Sequence, residues 1–257
     1  MEILLYDGQF DGFLSAIFYA YEYGYTMVDI QTAIKLQPGL YGTVHHIATD
    51  DKKAARVLSG LEKRISITAM KQFYMAFLSG LPGLENILFD YCRMIFQGKH
   101  GIYQNMSDPV IIKIKDVARK VYREKHRMEA FIRFQLTGDG IYYALCEPDY
   151  DVLPLINDHF RKRYADQRWL IYDAKRKYGV YYDLEKVETI TVSFDENNNG
   201  GKNIATIFDQ QELLYLDLWR QYFRHTNIAA RKNTKLHIQH MPRRYWRWLT
   251  EKQAPGT

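Results

Sequence analysis

The hydrophobic period changes within a few residues near the middle of the chain, and that change limits which folds are open to it. "VIIKIKDVARKVYREKHRM" places Val110, Ile114, Val117 and Val121 on one side. Lys113, Asp116, Lys120, Arg123 and Arg127 recur at the same spacing on the other, the signature of an amphipathic helix. Ser107, Asp108 and Pro109 precede it, a capping pair followed by a proline suited to the first turn. "AFIRFQL" then alternates, "TGDG" reads as a tight turn, and "IYYALCEP" as the returning strand of a hairpin. A chain that passes from period 3.6 to period 2 must set a helix beside a sheet.

The remaining segments extend that pattern. "EILLY" suits a buried strand and ends at "DGQFDG", whose glycines and aspartates are turn residues. "FLSAIFYAYEYGY" reads as a helix, and "TVHHIAT" as a strand closed by Asp50 and Asp51, a cap for the helix over "KKAARVLSGLEKRI". Two further helices follow over "ITAMKQFYMAFLSG" and "LENILFDYCRMIFQG". Downstream, "DVLPLINDHFRKRYADQ" carries Leu153, Ile156, Phe160 and Tyr164 on one stripe. "RWLIYD" and "GVYYDL" flank "AKRKY" as a second hairpin, and "ETITVSF" continues the β pattern before the polar loop "DENNNGG". A long helix over 210–224 and a short one over "PRRYWRWLTE" close the chain. The expected class is α+β, with helices packed around a small antiparallel sheet. The N-terminal part, 1–106, is mainly helical; 107–257 is an α+β part with basic C-terminal helices, the two forming one compact unit.

Two cysteines, Cys92 and Cys146, give no disulfide framework, zinc pattern or iron–sulfur loop. "MEILLYDGQF" lacks the basic and apolar regions of a signal peptide, and no uncharged run reaches the length of a membrane span. A cytoplasmic protein is therefore expected, with no membrane partner and no metal or cofactor assigned. The 21 tyrosines suit interfaces or base stacking, because each buries apolar surface and keeps a hydroxyl. Between Leu218 and Thr257 nine Lys or Arg stand against one acid, giving +8 and leaving −3 for residues 1–217 of the overall +5. A basic end on an acidic body points to an anionic partner, most often nucleic acid; a solvated helical face is the plainer alternative.

Several segments, taken in order, resemble a known family. They are "YDGQFDGFLSAIFYAYE", "HRMEAFIRF", "LINDHFRKRYADQRWLIYDAKRKYG" and "NIAARKNTKLHIQHMPRRYWRWL". The resemblance is to a bacterial domain-of-unknown-function family whose members are labelled DNA metabolism or DNA repair proteins. They tend to be encoded beside a radical-SAM protein with a helix-hairpin-helix domain, and in some bacteria are joined to a uracil-DNA-glycosylase-like domain. The resemblance implies a link to DNA and a radical-SAM partner, but transfers no catalytic residue. This chain lacks the glycosylase motifs and the three-cysteine loop, so those chemistries would belong to partners.

The candidate binding residues are basic or aromatic. Arg127 and Arg133 bracket a groove for phosphate if "AFIRFQL" is a strand; alternatively Arg133 pairs with Asp158 or Asp173. Arg161 and Arg163 follow on the next helix, and "RKN" adds Arg231 and Asn233. "MPRRYWRWL" interleaves Arg243, Arg244 and Arg247 with Tyr245, Trp246 and Trp248, joining guanidinium forks to stacking faces; inward packing of the aromatics explains the same pattern. For catalysis, Asp158, His159 and Asp173 form an acid–base set if helix and hairpin pack together, since a base oriented by a carboxylate is the minimum for such chemistry. A packing role for His159 competes with it. "DGQFDG" fits neither phosphate-binding fingerprint and reads as a strand-to-helix connection. Three functions therefore stand side by side: a nucleic-acid or substrate-binding protein of DNA metabolism, an enzyme acting on a base or phosphodiester, and a non-catalytic interaction subunit.

Overall fold

The apolar run "EILLY" becomes the middle strand of a parallel sheet. β1 (Glu2–Tyr6) is buried along its last four residues, as a strand flanked on both edges and covered by helices must be. β2 (Val28–Thr32) and β3 (Thr43–His46) lie parallel on either side, with Leu4 opposite both Ile30 and His45. α1 (Phe10–Glu22) connects the first two strands and buries Phe13, Leu14, Ile17 and Ala20, the spacing of one helical face. α2 (Asp51–Glu62) is capped by Asp50, whose carboxylate accepts the amides of Lys52 and Lys53 at 2.9 and 3.1 Å. α3 (Ile67–Leu78) and α4 (Leu84–Phe96) complete the cover. Phe13 stacks on Phe77 at 5.3 Å and Phe73 on Tyr91 at 5.8 Å, so aromatic contacts join α1, α3 and α4.

α5 (Pro109–Phe131) begins where the sequence places it: the Asp108 carboxylate accepts the amides of Val110 and Ile111 at 2.8 and 3.3 Å. The computed structural model describes residues 1–32, 42–98, 101, 103, 105, 107–138, 140–191, 238, 241–249 and 252. The chain divides into two compact units, Met1–Tyr122 and Arg123–Thr257, and the division falls inside α5.

The second unit holds the end of α5, a five-stranded sheet and α6 (Leu153–Arg163). Its strands are β4 (Gln135–Leu136), β5 (Tyr142–Cys146), β6 (Trp169–Asp173), β7 (Tyr178–Tyr182) and β8 (Val187–Ile190), paired in that order. β5 and β6 run parallel, joined through α6, and the other pairs are antiparallel. The class is α+β as expected, but the sheet is mixed and the first unit's sheet is wholly parallel. Leu153, Ile156 and Phe160 form the buried stripe of α6, and Trp169, Ile171 and Val180 are buried on the sheet, with the Trp169 ring 6.2 Å from Phe160. Arg243–Trp248 form a 3₁₀ helix with Tyr245 buried.

One local expectation fails. "AFIRFQL" is not a strand from Ala130: helix continues to Phe131, and pairing is confined to Gln135–Leu136. Val121, Glu124, Met128 and Ile132 are buried at helical spacing, and the Ile132 amide still bonds to the Met128 carbonyl at 3.1 Å. Burial of that face outweighs the short alternation.

Candidate functional site

The end of α5 shapes one wall of a cavity in the second unit. Arg133 stands in the connection to β4, not in a strand, and its Nη1 donates to the carbonyls of Ala130 and Ile132 at 2.7 and 3.3 Å. The guanidinium thus satisfies carbonyls that a helix C-terminus leaves without partners, and its charge suits the negative end of the dipole. Phe134 follows and sends its ring against Phe160, Tyr164 and Trp169 at 5.6, 5.3 and 6.3 Å.

The opposite wall comes from the α6–β6 connection. Tyr164 caps α6, its amide bonding the Phe160 carbonyl at 2.9 Å while the two rings lie nearly parallel at 6.2 Å. Gln167 is half-buried and Trp169 fully buried. Tyr142 opens β5 and bonds through its amide to the Arg168 carbonyl at 2.9 Å. Between these walls lies a cavity of about 340 Å³. Its side chains are aromatic or apolar apart from Arg133, Gln167 and two tyrosine hydroxyls, and among the described residues lining it none is a carboxylate. Among the described residues the buried Trp169 Nε1–H has no hydrogen-bond acceptor, which is uncommon for a buried donor. Next to the lining residue Tyr164, Arg163 donates from Nε to the Tyr164 hydroxyl at 3.3 Å, with its guanidinium 5.7 Å from that ring. Arg168 is exposed between Gln167 and Trp169, and Asp166 is the acid of the same connection.

The three candidate catalytic residues occupy three different settings. Asp158 is exposed and pairs with Arg161 at 3.3 Å. His159 faces Glu129, Nδ1 to Oε1 3.8 Å, and sets its ring edge-on to Phe160. Asp173 is fully buried at the β6–β7 turn, where it accepts the amides of Lys175 and Arg176 and the Arg176 Nη1 at 2.9, 3.1 and 2.7 Å. Those bonds make Asp173 a turn-fixing residue, and among the described residues no hydrogen bond or ion pair joins it to Asp158 or His159. The partner that sequence reading missed is Glu129, held also by Lys125 at 2.5 Å.

The basic C-terminal residues divide by what they touch. Glu124, 1% exposed, accepts the Tyr245 hydroxyl at 2.5 Å and Arg244 Nη2 at 2.9 Å on one oxygen, and the Asp149 amide at 2.9 Å on the other. Arg127 stands 3.7 Å from the same carboxylate, and Arg244 also reaches the Asp149 carboxylate at 2.9 Å. Burial pushes the Tyr245 hydroxyl well above its usual range, with Glu124 adding to the effect. Arg244 and Tyr245 therefore anchor the 3₁₀ helix to α5, while Arg127 stands beside Glu124 from within α5 itself. Arg243 and Lys252 both lie over the Trp246 ring, at 5.8 and 5.0 Å, and the Trp246 Nε1–H donates to the Met241 carbonyl. Arg247 covers Trp248 at 4.3 Å and reaches Glu147 at 3.2 Å. Arg231 and Asn233, like the 210–224 helix and the "DENNNGG" loop, lie outside the described residues.

In the first unit "DGQFDG" is the strand-to-helix connection. Gly8 has φ +88°, and Asp7 accepts the Gln9 amide at 2.8 Å and the Thr49 hydroxyl at 2.7 Å. His45 binds Glu2 at 2.7 Å. Among the described residues no three His, Cys, Asp or Glu side chains gather as metal ligands, and no helix is long and apolar enough to cross a membrane.

A family model described as a domain of unknown function, DUF4130, matches residues 82–251, which is more than half of the chain. The match takes in α4, α5 and the second unit's sheet with α6, and leaves β1–β3 and α1–α3 outside it. A search of curated proteins found no match.

Proposed function

The chain belongs to the DUF4130 family, and on that premise we propose that its second unit binds single-stranded nucleic acid by seating one unstacked base in the cavity. The observation that carries this reading is the pairing of aromatic walls with a basic rim. Phe134, Tyr142 and Tyr164 line the cavity as aromatic rings, Arg133 lines it as a cation, and the exposed Arg163 and Arg168 adjoin lining residues in sequence, where they would meet the phosphates beside a bound base. Base–aromatic stacking contributes about 1–3 kcal/mol per base, and such sites combine stacking with a charged track. Extraction of one base from a strand is how proteins reach atoms hidden in a stack. The role fits a cytoplasmic protein of DNA metabolism or repair, working beside a radical-SAM partner that would carry the redox chemistry. The enzymatic alternative has less to support it, because among the described residues no hydrogen bond or ion pair links Asp173 to Asp158 or His159.

Fluorescence anisotropy of labelled single-stranded DNA, duplex DNA and RNA across a salt series tests the proposal. Single strands are expected to bind more tightly than duplex, with a slope near −0.7 per contacted phosphate. Phe134→Ala is expected to weaken binding about tenfold through lost stacking, with little change in that slope. Equal binding of duplex and single strand, untouched by Phe134→Ala, would overturn it.

A further inference from the structure

We infer that the first unit pairs with a second copy of this chain through the patch around Ile67, as a two-fold dimer. The inference stands apart from the base-pocket reading, because every residue it uses lies in Met1–Tyr122. Ile67 opens α3 and is 75% exposed, the most exposed large apolar side chain among the described residues. Ser66 fixes that start by accepting the Ala69 amide at 3.2 Å. Ile67 also lines a cavity of about 520 Å³, whose apolar walls are Phe10, Leu58, Met70 and Tyr74 and whose charged members are Asp11 and Lys71. Phe10 is set edge-on to Tyr74 at 4.9 Å and to Phe77 at 5.1 Å, so this wall is built from packed rings. One patch thus carries both an apolar projection and an apolar hollow.

That combination, with its charges, chooses the occupant. In a two-fold contact the same residues face each other in reverse order, so the patch must complement itself. Ile67 of each copy enters the hollow of the other, which removes the projection and the hollow from water together. Asp11 and Lys71 carry opposite charge, and among the described residues neither side chain has a hydrogen-bond or ion-pair partner. Across the axis each Asp11 meets the partner's Lys71, and opposed charges of this kind fix register and exclude wrong partners. A partner surface of one sign would satisfy one of the two groups and oppose the other. A second copy satisfies both.

Analytical ultracentrifugation of the full chain across the micromolar range tests the pairing. Monomer and dimer in concentration-dependent exchange are expected, with no larger species, because a two-fold contact closes on itself. Ile67→Asp is expected to weaken the dimer about tenfold or more. The fold should survive it, since Ile67 is exposed and an acid suits the first turn of a helix. Asp11→Lys and Lys71→Asp each set like charges across the axis and should each weaken the dimer about tenfold, and the double exchange should restore it. A chain that stays monomeric throughout would overturn the inference and leave the hollow to a different partner or a small ligand. Dimers untouched by Ile67→Asp would place the contact elsewhere and overturn it equally. A double exchange no stronger than either single one would refute the two-fold pairing of Asp11 with Lys71.

Discussion

Replacing Glu124 with glutamine keeps the shape of the side chain and removes the buried charge that ties the C-terminal 3₁₀ helix to α5. One carboxylate oxygen accepts from Tyr245 and Arg244, and the other from the Asp149 amide. An amide has a single oxygen, so its NH₂ must face donors whichever way it turns. Hydrogen bonds to an ionised group contribute about 1.5–3 kcal/mol each, and breaking a buried pair costs about 3–5 kcal/mol. The expected loss for Glu124→Gln is therefore about 3–5 kcal/mol. At about 2–4 °C per kcal/mol for a chain of this size, the midpoint should fall on the order of 10 °C. Arg244→Gln should cost clearly less, because that side chain is 41% exposed and the buried Glu124 keeps the Tyr245 hydroxyl, the Asp149 amide and Arg127 as partners. Urea unfolding followed by tryptophan fluorescence reads both, and Trp246 and Trp248 report on the segment directly. A loss below about 1 kcal/mol for Glu124→Gln, or a larger loss for Arg244→Gln, would refute the reasoning.

Asp151 is raised above the usual carboxylate value of 3.8, chiefly by burial, and its carboxylate accepts the Tyr178 hydroxyl. A raised folded value means that its contribution is fully present below the unfolded value and is lost as pH rises through the raised one. Asp151→Asn keeps an acceptor for Tyr178 and should gain stability relative to the natural chain as pH climbs above 3.8; unfolding across a pH series showing the opposite trend would contradict this. Gly12→Ala would place a methyl group 2.1 Å from the Asp7 carboxylate oxygen and 2.9 Å from the Thr49 hydroxyl. The clash should break the Asp7–Thr49 bond and cost about 1–3 kcal/mol, read as a lowered midpoint, whereas an unchanged midpoint would show that the connection yields freely.

Most helices were legible because their signals are local. The Asp50 and Asp108 caps, the α6 stripe and the β6–β7 hairpin all rest on neighbours a few residues apart. β2 was not legible: "VDIQT" buries only Ile30, and its strand character comes from pairing with β1 across α1. Nor was the parallel β5–β6 pair, which two adjacent β patterns cannot distinguish from a hairpin. The α5 boundary was misread because Phe131 and Arg133 alternate with apolar neighbours for too few residues to compete with a buried face reaching back to Val121. Site residues followed the same rule. Arg133 and Arg163 stood out by charge, whereas Phe134, Tyr142, Gln167 and Trp169 converge from three connections and carry no shared motif.

Net charge near the C-terminus overstates what is offered to an anion. Arg244 stabilises a buried carboxylate, and Arg247 reaches Glu147 while lying over Trp248. Reversing Arg243 and Arg244 together would therefore confound two effects, because the second substitution sets a carboxylate against Glu124 and loosens the 3₁₀ helix whatever the protein binds. Loss of nucleic-acid affinity in that double variant would not distinguish a lost phosphate contact from a lost fold. Arg163 and Arg168 avoid the confusion: both are exposed, Arg163 leans on a tyrosine rather than on a buried acid, and both adjoin the cavity wall. Charge removal at those two positions tests electrostatics at the rim, and substitution at Phe134 tests the slot between the walls. The separation holds because stacking responds little to salt, while each phosphate contact contributes its own increment to the salt slope.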